Sequence, residues 1–140
     1  MNDKYHTKRR AELLEYLKAN GIGIALATAT RTERTLDNLE RTGLRPYFDV
    51  LITGDMVENG KPHPETFLTA AERLGVLPCE CIGVEDSFNG VRAIRAAGMF
   101  TIMVPDTVPP TPEIEALLDA KCTTLHEVRP IIEKINQSQI

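Results

Sequence analysis

Short apolar runs alternate along the chain with longer segments in which apolar residues recur every three or four positions. The runs "IGIALAT", "YFDVLIT", "CIGVED" and "FTIMVPD" have the length of strands. They are continuously apolar, which is typical of strands that are covered on both faces. The alternation of such strands with helices predicts an α/β fold, in which helices pack on both faces of a parallel sheet.

The remaining segments predict helices and one short strand. The helical segments are "TKRRAELLEYLKA", "RTERTLDNLERTG", "PETFLTAAERLGV", "NGVRAIRAAGM", "EIEALLDA" and "HEVRPIIEKI", and "CTTL" is a candidate final strand. In the second and third helices, the residues expected to face the core are Leu36, Leu39, Phe67, Leu68, Ala71 and Leu74. We expect one domain over residues 1–140, with residues 1–6 and 136–140 frayed.

Composition narrows the classes of function. The 140 residues carry a net charge of −4, which argues against a nucleic-acid partner. The odd set of cysteines, Cys79, Cys81 and Cys122, indicates reduced thiols and therefore a cytoplasmic protein. No apolar stretch is long enough to span a membrane, so we expect no membrane partner.

Three polar spots lie where a parallel sheet binds its ligands, beyond the carboxyl ends of the strands. Thr28 ends the first predicted strand, Lys61 lies in a Gly-Lys-Pro-x-Pro loop, and Glu85 and Asp86 end the third strand. Two adjacent carboxylates repel one another when they are ionised and shielded from water. A bound Mg²⁺ would remove that repulsion. The alternative is that one of the acids caps the next helix with the help of Ser87.

The other two spots suit phosphate. The hydroxyl of Thr28, with free N–H groups at the start of a helix, can bind phosphate oxygens, although an ordinary helix cap would look the same. The two prolines beside Lys61 stiffen its loop and so aim the ammonium, which can neutralise a transferring phosphoryl group. The alternative for Lys61 is a solvated loop side chain.

Together the segments "ALATATRTE", "GKPHPETFLTAAERLGV" and "GVEDSFNGVRAIRAAGM" resemble the second, third and fourth motifs of the haloacid dehalogenase superfamily. The likeness covers about residues 8–105 and is strongest to the branch that holds beta-phosphoglucomutase and small sugar-phosphate phosphatases. It implies a Rossmann-like core that transfers phosphoryl groups of small phosphorylated metabolites through an aspartyl-phosphate. By position, Thr28 and Lys61 would be catalytic, and Ala29 would join them in binding phosphate. Asp86, together with Glu85, would hold Mg²⁺.

The family's first motif has no counterpart in these residues. That motif is Asp-x-Asp after an apolar strand, and its first Asp is the nucleophile and its second the general acid/base. We therefore expect a core that lacks its first strand and its cap domain, and that is inactive alone, so that its standing as an enzyme is open. The family's nucleophile strand lies between the strands that correspond to "IALAT" and "CIGVED". These two strands could close up, accept a strand from a complementing N-terminal fragment, or pair with a second copy of the chain.

Two other functions fit part of the pattern. A non-catalytic module could bind Mg²⁺ and phosphate, or complement a partner that carries the missing strand. A response-regulator receiver also uses strand-end acids, Thr, Lys and Mg²⁺, but its acids come early in the chain. Here the acidic pair follows Thr28 and Lys61, so the order disfavours a receiver.

Overall fold

Helices and strands alternate along the chain. The computed structural model describes the backbone of residues 3–138 and the side chains of residues 8–136. The elements are α1 (Asp3–Ala19), β1 (Ala25–Ala27), α2 (Thr32–Thr42), β2 (Val50–Ile52), α3 (Glu65–Leu74), β3 (Ile82–Glu85), α4 (Phe88–Ala96), β4 (Phe100–Met103), α5 (Pro112–Glu115), β5 (Ala120–Lys121) and α6 (Val128–Ser138). No helix in the described range is both long and apolar enough to cross a bilayer.

Every strand pair is parallel, which confirms the predicted α/β class, but the strands form two sheets. In the first sheet β1 pairs with β2, with Leu26 opposite Leu51. In the second sheet the order is β3-β4-β5, with Val84 opposite Ile102. Within residues 3–138, β1 and β3 form no ladder with each other. Of the three outcomes considered for this position, direct closure of the two strands is therefore not the one observed.

The facing edge of β1 presents backbone groups that do not bond to β2. Ile24 accepts a backbone hydrogen bond from the β2 side, and Thr28 donates one to it. Successive residues of a parallel strand point their backbone groups to opposite sides, so those of Ala25 and Ala27 point away from β2.

The same alternation applies to β3. The carbonyls of Cys81 and Glu85 accept hydrogen bonds from the β4 side. The backbone groups of Ile82 and Val84 therefore point away from β4. The Val84 side chain is also 36% exposed, a large fraction for a strand residue inside an α/β domain. Within residues 3–138, the two sheets thus end in edges whose backbone donors and acceptors have no strand partner.

Helices hold the two sheets together by packing across both of them. On one face, Phe67 of α3 and Ile94 of α4 share an apolar cluster that also takes in Ala27 of β1 and Cys81 beside β3. On the other face, α1 packs Leu14 against Ile24 and Leu17 against the cluster around Ile102 of β4. Burial of this apolar surface stabilises the arrangement without a continuous sheet.

Three expectations about individual elements were wrong. Leu36 is 38% exposed and Leu68 is 40% exposed, because α2 buries Thr35 and Leu39 and the buried face of α3 is centred on Phe67, Ala70 and Ala71. The last strand is Ala120–Lys121 rather than "CTTL". Cys122 N bonds to the carbonyl oxygen of Met103, which is the last residue of β4. Residues 123–125 therefore have no β4 residue opposite them. The expected fraying of residues 1–6 and 136–140 stays a prediction: residues 3–6 and 136–138 have helical backbone, and the rest of those two ranges lies outside the described residues.

Candidate functional site

One ammonium group joins the carboxyl ends of the two sheets. Lys61 Nζ donates to the carbonyl oxygen of Ala27, the last residue of β1, at 3.1 Å. It also forms an ion pair with Glu85 Oε1, at the end of β3, at 2.7 Å. Both side chains are only 13% exposed. Because removing one partner of a buried ion pair leaves an uncompensated charge, each of these residues depends on the other.

Lys61 lies in the loop that precedes α3. Lys61 precedes a cis peptide bond to Pro62. Its Nζ lies 5.0 Å from the centroid of the Phe67 ring, within the range of a cation–π contact. The side chain is thus fixed by the carbonyl of Ala27, the carboxylate of Glu85 and the Phe67 ring, and it is not the freely solvated loop lysine of the alternative interpretation.

Glu85 lies against the start of α4. Its Oε2 accepts a hydrogen bond from Ser87 Oγ at 2.9 Å, and the same Oγ accepts one from Gly90 N at 3.0 Å. Ser87 is therefore the N-cap of α4, and the carboxylate lies beside the positive end of the helix dipole. A Cβ at Gly90 would overlap Glu85 Oε2. The absence of a side chain at Gly90 is what makes room for the carboxylate.

Asp86 differs from its neighbour. It is exposed, and within residues 8–136 its carboxylate has neither a hydrogen-bond partner nor an ion pair. Those residues contain no group of three or more His, Cys, Asp or Glu side chains placed to hold a metal ion. The donor set still fits Mg²⁺, because this ion is commonly held by one or two carboxylates, with water and substrate phosphate completing the shell. The metal roles of Asp86 and Glu85 stay predictions.

Thr28 and Ala29 begin the loop that follows β1. Thr28 N donates to Ile52 O, and Thr28 Oγ1 accepts from Thr30 N at 3.1 Å. The hydroxyl hydrogen of Thr28 is not used by these two contacts, so it remains a donor that can bind a phosphate oxygen. Ala29 is exposed at the tip of the loop. Because Ala27 directly precedes Thr28, the Lys61 ammonium lies next to this loop.

The loop after β1 is anchored by residues that follow β2. Gly54 N donates to Thr30 O at 2.8 Å, and a Cβ at Gly54 would overlap the carbonyl oxygen of Ala29. Asp55 accepts hydrogen bonds from Thr32 N at 2.8 Å and from Thr32 Oγ1 at 2.9 Å. The Thr32 hydroxyl, followed by that of Thr53, lowers the pKa of Asp55 to about 2.

Sequence reasoning missed this anchoring role of Asp55. The available signal was its position directly after a strand end, on the same edge of the sheet as the start of α2. A partner 23 positions away in the chain, Thr32, is visible only in the fold.

Comparisons with known proteins show which family the chain resembles. Residues 3–98 match the family model described as haloacid dehalogenase-like hydrolase. The chain is 39% identical over 126 residues to a Thermotoga maritima protein named phosphorylated carbohydrates phosphatase, covering 90% of this chain and 57% of that protein.

Solved structures give the same result. A putative beta-phosphoglucomutase from Thermotoga maritima superposes with a TM-score of 0.81 at 36% identity, over 89% of this chain and 58% of that one. CbbY from Rhodobacter sphaeroides, solved in complex with phosphate, gives a TM-score of 0.75 at 34% identity, over 84% of this chain and 53% of that one. The chain therefore spans somewhat more than half the length of these relatives.

Proposed function

The chain belongs to the haloacid dehalogenase-like hydrolases, and we propose that it forms the phosphate- and Mg²⁺-binding part of a site that transfers phosphoryl groups of small phosphorylated metabolites. The observation that carries this proposal is the contact of Lys61 Nζ with both Ala27 O and Glu85 Oε1. This contact brings a cation to the strand ends where phosphate would lie. The names of the relatives support the substrate class: one is a phosphatase of phosphorylated carbohydrates, and another was solved with phosphate.

Each predicted residue has a role in binding the transferring group. The Thr28 hydroxyl and the Ala29 N–H would donate hydrogen bonds to phosphoryl oxygens. Lys61, already beside the same loop, would neutralise charge on those oxygens during transfer. These donors are held by the protein before substrate arrives, so little reorganisation is needed when charge develops.

Asp86 is the residue best suited to hold Mg²⁺, because its carboxylate is exposed and makes no hydrogen bond or ion pair within residues 8–136. Glu85, which is paired with Lys61, would supply a second carboxylate ligand. When bound, Mg²⁺ would offset negative charge on the phosphoryl group.

The nucleophile would come from outside the described residues. A carboxylate oxygen would attack phosphorus, the ester bond to the leaving alcohol would break, and that alkoxide would take a proton from a second acid. These 140 residues hold no Asp-x-Asp pair for these two roles. A strand that carries such a pair, from a complementing segment or partner, would bond to the open edges of β1 and β3.

Substitution of Lys61 tests the phosphate site. We expect Lys61→Met to weaken the binding of inorganic phosphate, measured by calorimetry with Mg²⁺ present, by about tenfold or more, since hydrogen bonds to charged groups are among the stronger ones. Lys121→Met is the matched control, because Lys121 also pairs with a glutamate, Glu115, at 2.9 Å but lies at the exposed end of β5. Equal phosphate affinity in wild type and Lys61→Met would contradict the proposal.

A second test concerns completeness. We expect the 140-residue chain alone to hydrolyse p-nitrophenyl phosphate negligibly. Addition of a polypeptide with an apolar strand followed by Asp-x-Asp should then produce turnover that depends on Asp86. Robust turnover by the pure chain, lost in Asp86→Asn, would show that no complementing segment is needed. Tight binding of that polypeptide without turnover would favour the alternative, a non-catalytic complementation module.

A further inference from the structure

The loop that carries Lys61 has few apolar contacts of its own. We call residues 57–64 the lysine loop. Within it Glu58, Asn59, Gly60, Pro62 and His63 are all exposed. Only Val57 and Pro64 among its apolar residues are half-buried, so hydrophobic burial contributes little to fixing this loop, and its position depends mainly on hydrogen bonds.

Glu65, the first residue of α3, supplies these bonds at the start of the lysine loop. Its Oε2 accepts from Glu58 N at 2.8 Å. Its Oε1 accepts from Asn59 N at 3.3 Å and from Asn59 Nδ2 at 3.1 Å. The Glu65 carboxylate thus accepts hydrogen bonds from three N–H donors, all of them in Glu58 and Asn59.

The same residue also holds the other end of the loop. Glu65 N donates to His63 Nδ1 at 3.1 Å, and His63 N donates to Gly60 O at 3.0 Å. Lys61 therefore lies between two segments that are both bonded to Glu65. We propose that Glu65 is a positioning residue, which fixes the backbone on both sides of Lys61 so that the ammonium reaches Ala27 O and Glu85.

The chemistry of the carboxylate matters to this role. Three N–H donors require acceptor oxygens only, and hydrogen bonds to an ionised acceptor are the stronger kind. The bond from Glu58 N, followed by the Asn59 side chain, holds the pKa of Glu65 below its ordinary value. A glutamine would keep one acceptor oxygen but would turn an NH₂ group toward another donor. It would therefore lose the hydrogen bond from Glu58 N or the hydrogen bonds from Asn59.

Spectroscopy of Lys61 tests the positioning directly. The side-chain ammonium signal of Lys61 is assigned in the ¹⁵N-labelled 140-residue protein by its absence in Lys61→Met. We expect Glu65→Gln to move this signal to the position of a solvent-exposed lysine. The part of the proposal that concerns phosphate rests on the proposed function, and there we expect phosphate affinity to fall by about tenfold.

Glu113→Gln is the matched control. Glu113 is also a first-turn glutamate next to a proline, in α5, and its side chain is 80% exposed in a long ion pair with Arg92. This variant should leave the Lys61 signal and the phosphate affinity unchanged. Glu65→Asp, whose shorter side chain keeps the charge but not the reach to both residues, should fall between wild type and Glu65→Gln, and it replaces the latter if that variant does not fold.

The two readouts separate this proposal from the proposed function. An unchanged Lys61 signal in Glu65→Gln, or in Glu65→Asp if only that variant folds, would overturn the positioning role whatever phosphate does. If wild-type protein binds no phosphate, the proposed function fails, while the Lys61 signal still decides the role of Glu65. A shifted Lys61 signal together with a thermal midpoint close to that of Glu113→Gln would support positioning, because a merely structural residue would lower the midpoint without moving that one lysine.

Discussion

The two halves of the candidate site are held by different kinds of contact. On the β1 side, the loop after the strand is fixed mainly by backbone: Gly54 N bonds to Thr30 O, the backbone at Gly54 lies directly against Ala29, and the Asp55 carboxylate adds hydrogen bonds from Thr32. On the β3 side, the contacts run through side chains: Glu85 is held by Lys61 and by Ser87. The position of the loop after β1 is therefore set mainly by backbone packing, whereas the position of the Glu85 carboxylate is set by side-chain contacts.

This difference determines how each half should respond to substitution. A backbone contact cannot be relieved by a rotamer change, so a clash on the β1 side must move the chain and lower stability. A side-chain contact can be relieved by rotation, so a clash on the β3 side should disturb the Lys61–Glu85 ion pair and leave the fold largely intact.

The largest effect is expected from Gly54→Ala. The new Cβ would overlap the carbonyl oxygen of Ala29, and neither backbone segment can rotate away. We expect a loss of roughly 3 kcal/mol in the free energy of unfolding, near the upper end for a single substitution. Urea denaturation followed by circular dichroism measures it. Gly60→Ala is the control, since a Cβ there has no neighbour within 4 Å. Similar stability of the two variants would mean that the two halves do not differ in this way.

A smaller and more selective effect is expected from Gly90→Ala. Its Cβ would overlap Glu85 Oε2, the end of a flexible side chain, so the carboxylate should rotate away and weaken the ion pair with Lys61. The gain in helix propensity, about 1 kcal/mol or less in this first turn, offsets only part of the weakened ion pair, so the free energy of unfolding should fall, but by less than in Gly54→Ala. Phosphate affinity, measured by calorimetry, should fall.

A double-mutant cycle sharpens this prediction. In a Glu85→Ala background the overlap no longer exists, so adding Gly90→Ala should be neutral or stabilising. If Gly90→Ala is as destabilising in that background as in the wild type, the effect comes from α4 itself, and the side-chain account of the β3 half is wrong.

The sequence predicted the parts of this molecule that depend on local pattern. Continuous apolar runs gave the parallel strands, and the order of the Thr28, Lys61 and Glu85 segments gave the family. The sequence did not predict contacts between residues that are far apart along the chain. The hydrogen bonds of Asp55 to Thr32 depend on how the ends of β1 and β2 meet.

Errors at the single-residue level have a similar cause. An apolar stripe shows which side of a helix is buried but not where the buried face is centred, and so Leu68 was assigned to the core although it is exposed. The resemblance made Asp86 the surer metal ligand of the two adjacent acids, but the residue pattern gave no sign that Glu85 would pair with Lys61. Only the orientation of each side chain separates the one paired with Lys61 from the exposed one.

The smallest effect concerns pH and belongs to the β1 half. Hydrogen bonds from the Thr32 hydroxyl, and next from Thr53, lower the pKa of Asp55 from 3.8 to about 2. A carboxyl whose pKa is lower in the folded state stabilises the fold above its unfolded pKa, and this stabilisation is lost as the pH falls through the folded pKa. Stability should therefore decline between about pH 4 and pH 2 in part because Asp55 becomes protonated.

Asp55→Asn should flatten this decline, measured by urea denaturation at each pH. Asp106→Asn is the control and should keep the wild-type slope, because Asp106 is an exposed loop carboxylate with no hydrogen bond or ion pair within residues 8–136. Identical slopes for the two variants would mean that the anchor of the β1 half is its backbone contact at Gly54 alone, with no contribution from the Asp55 carboxylate.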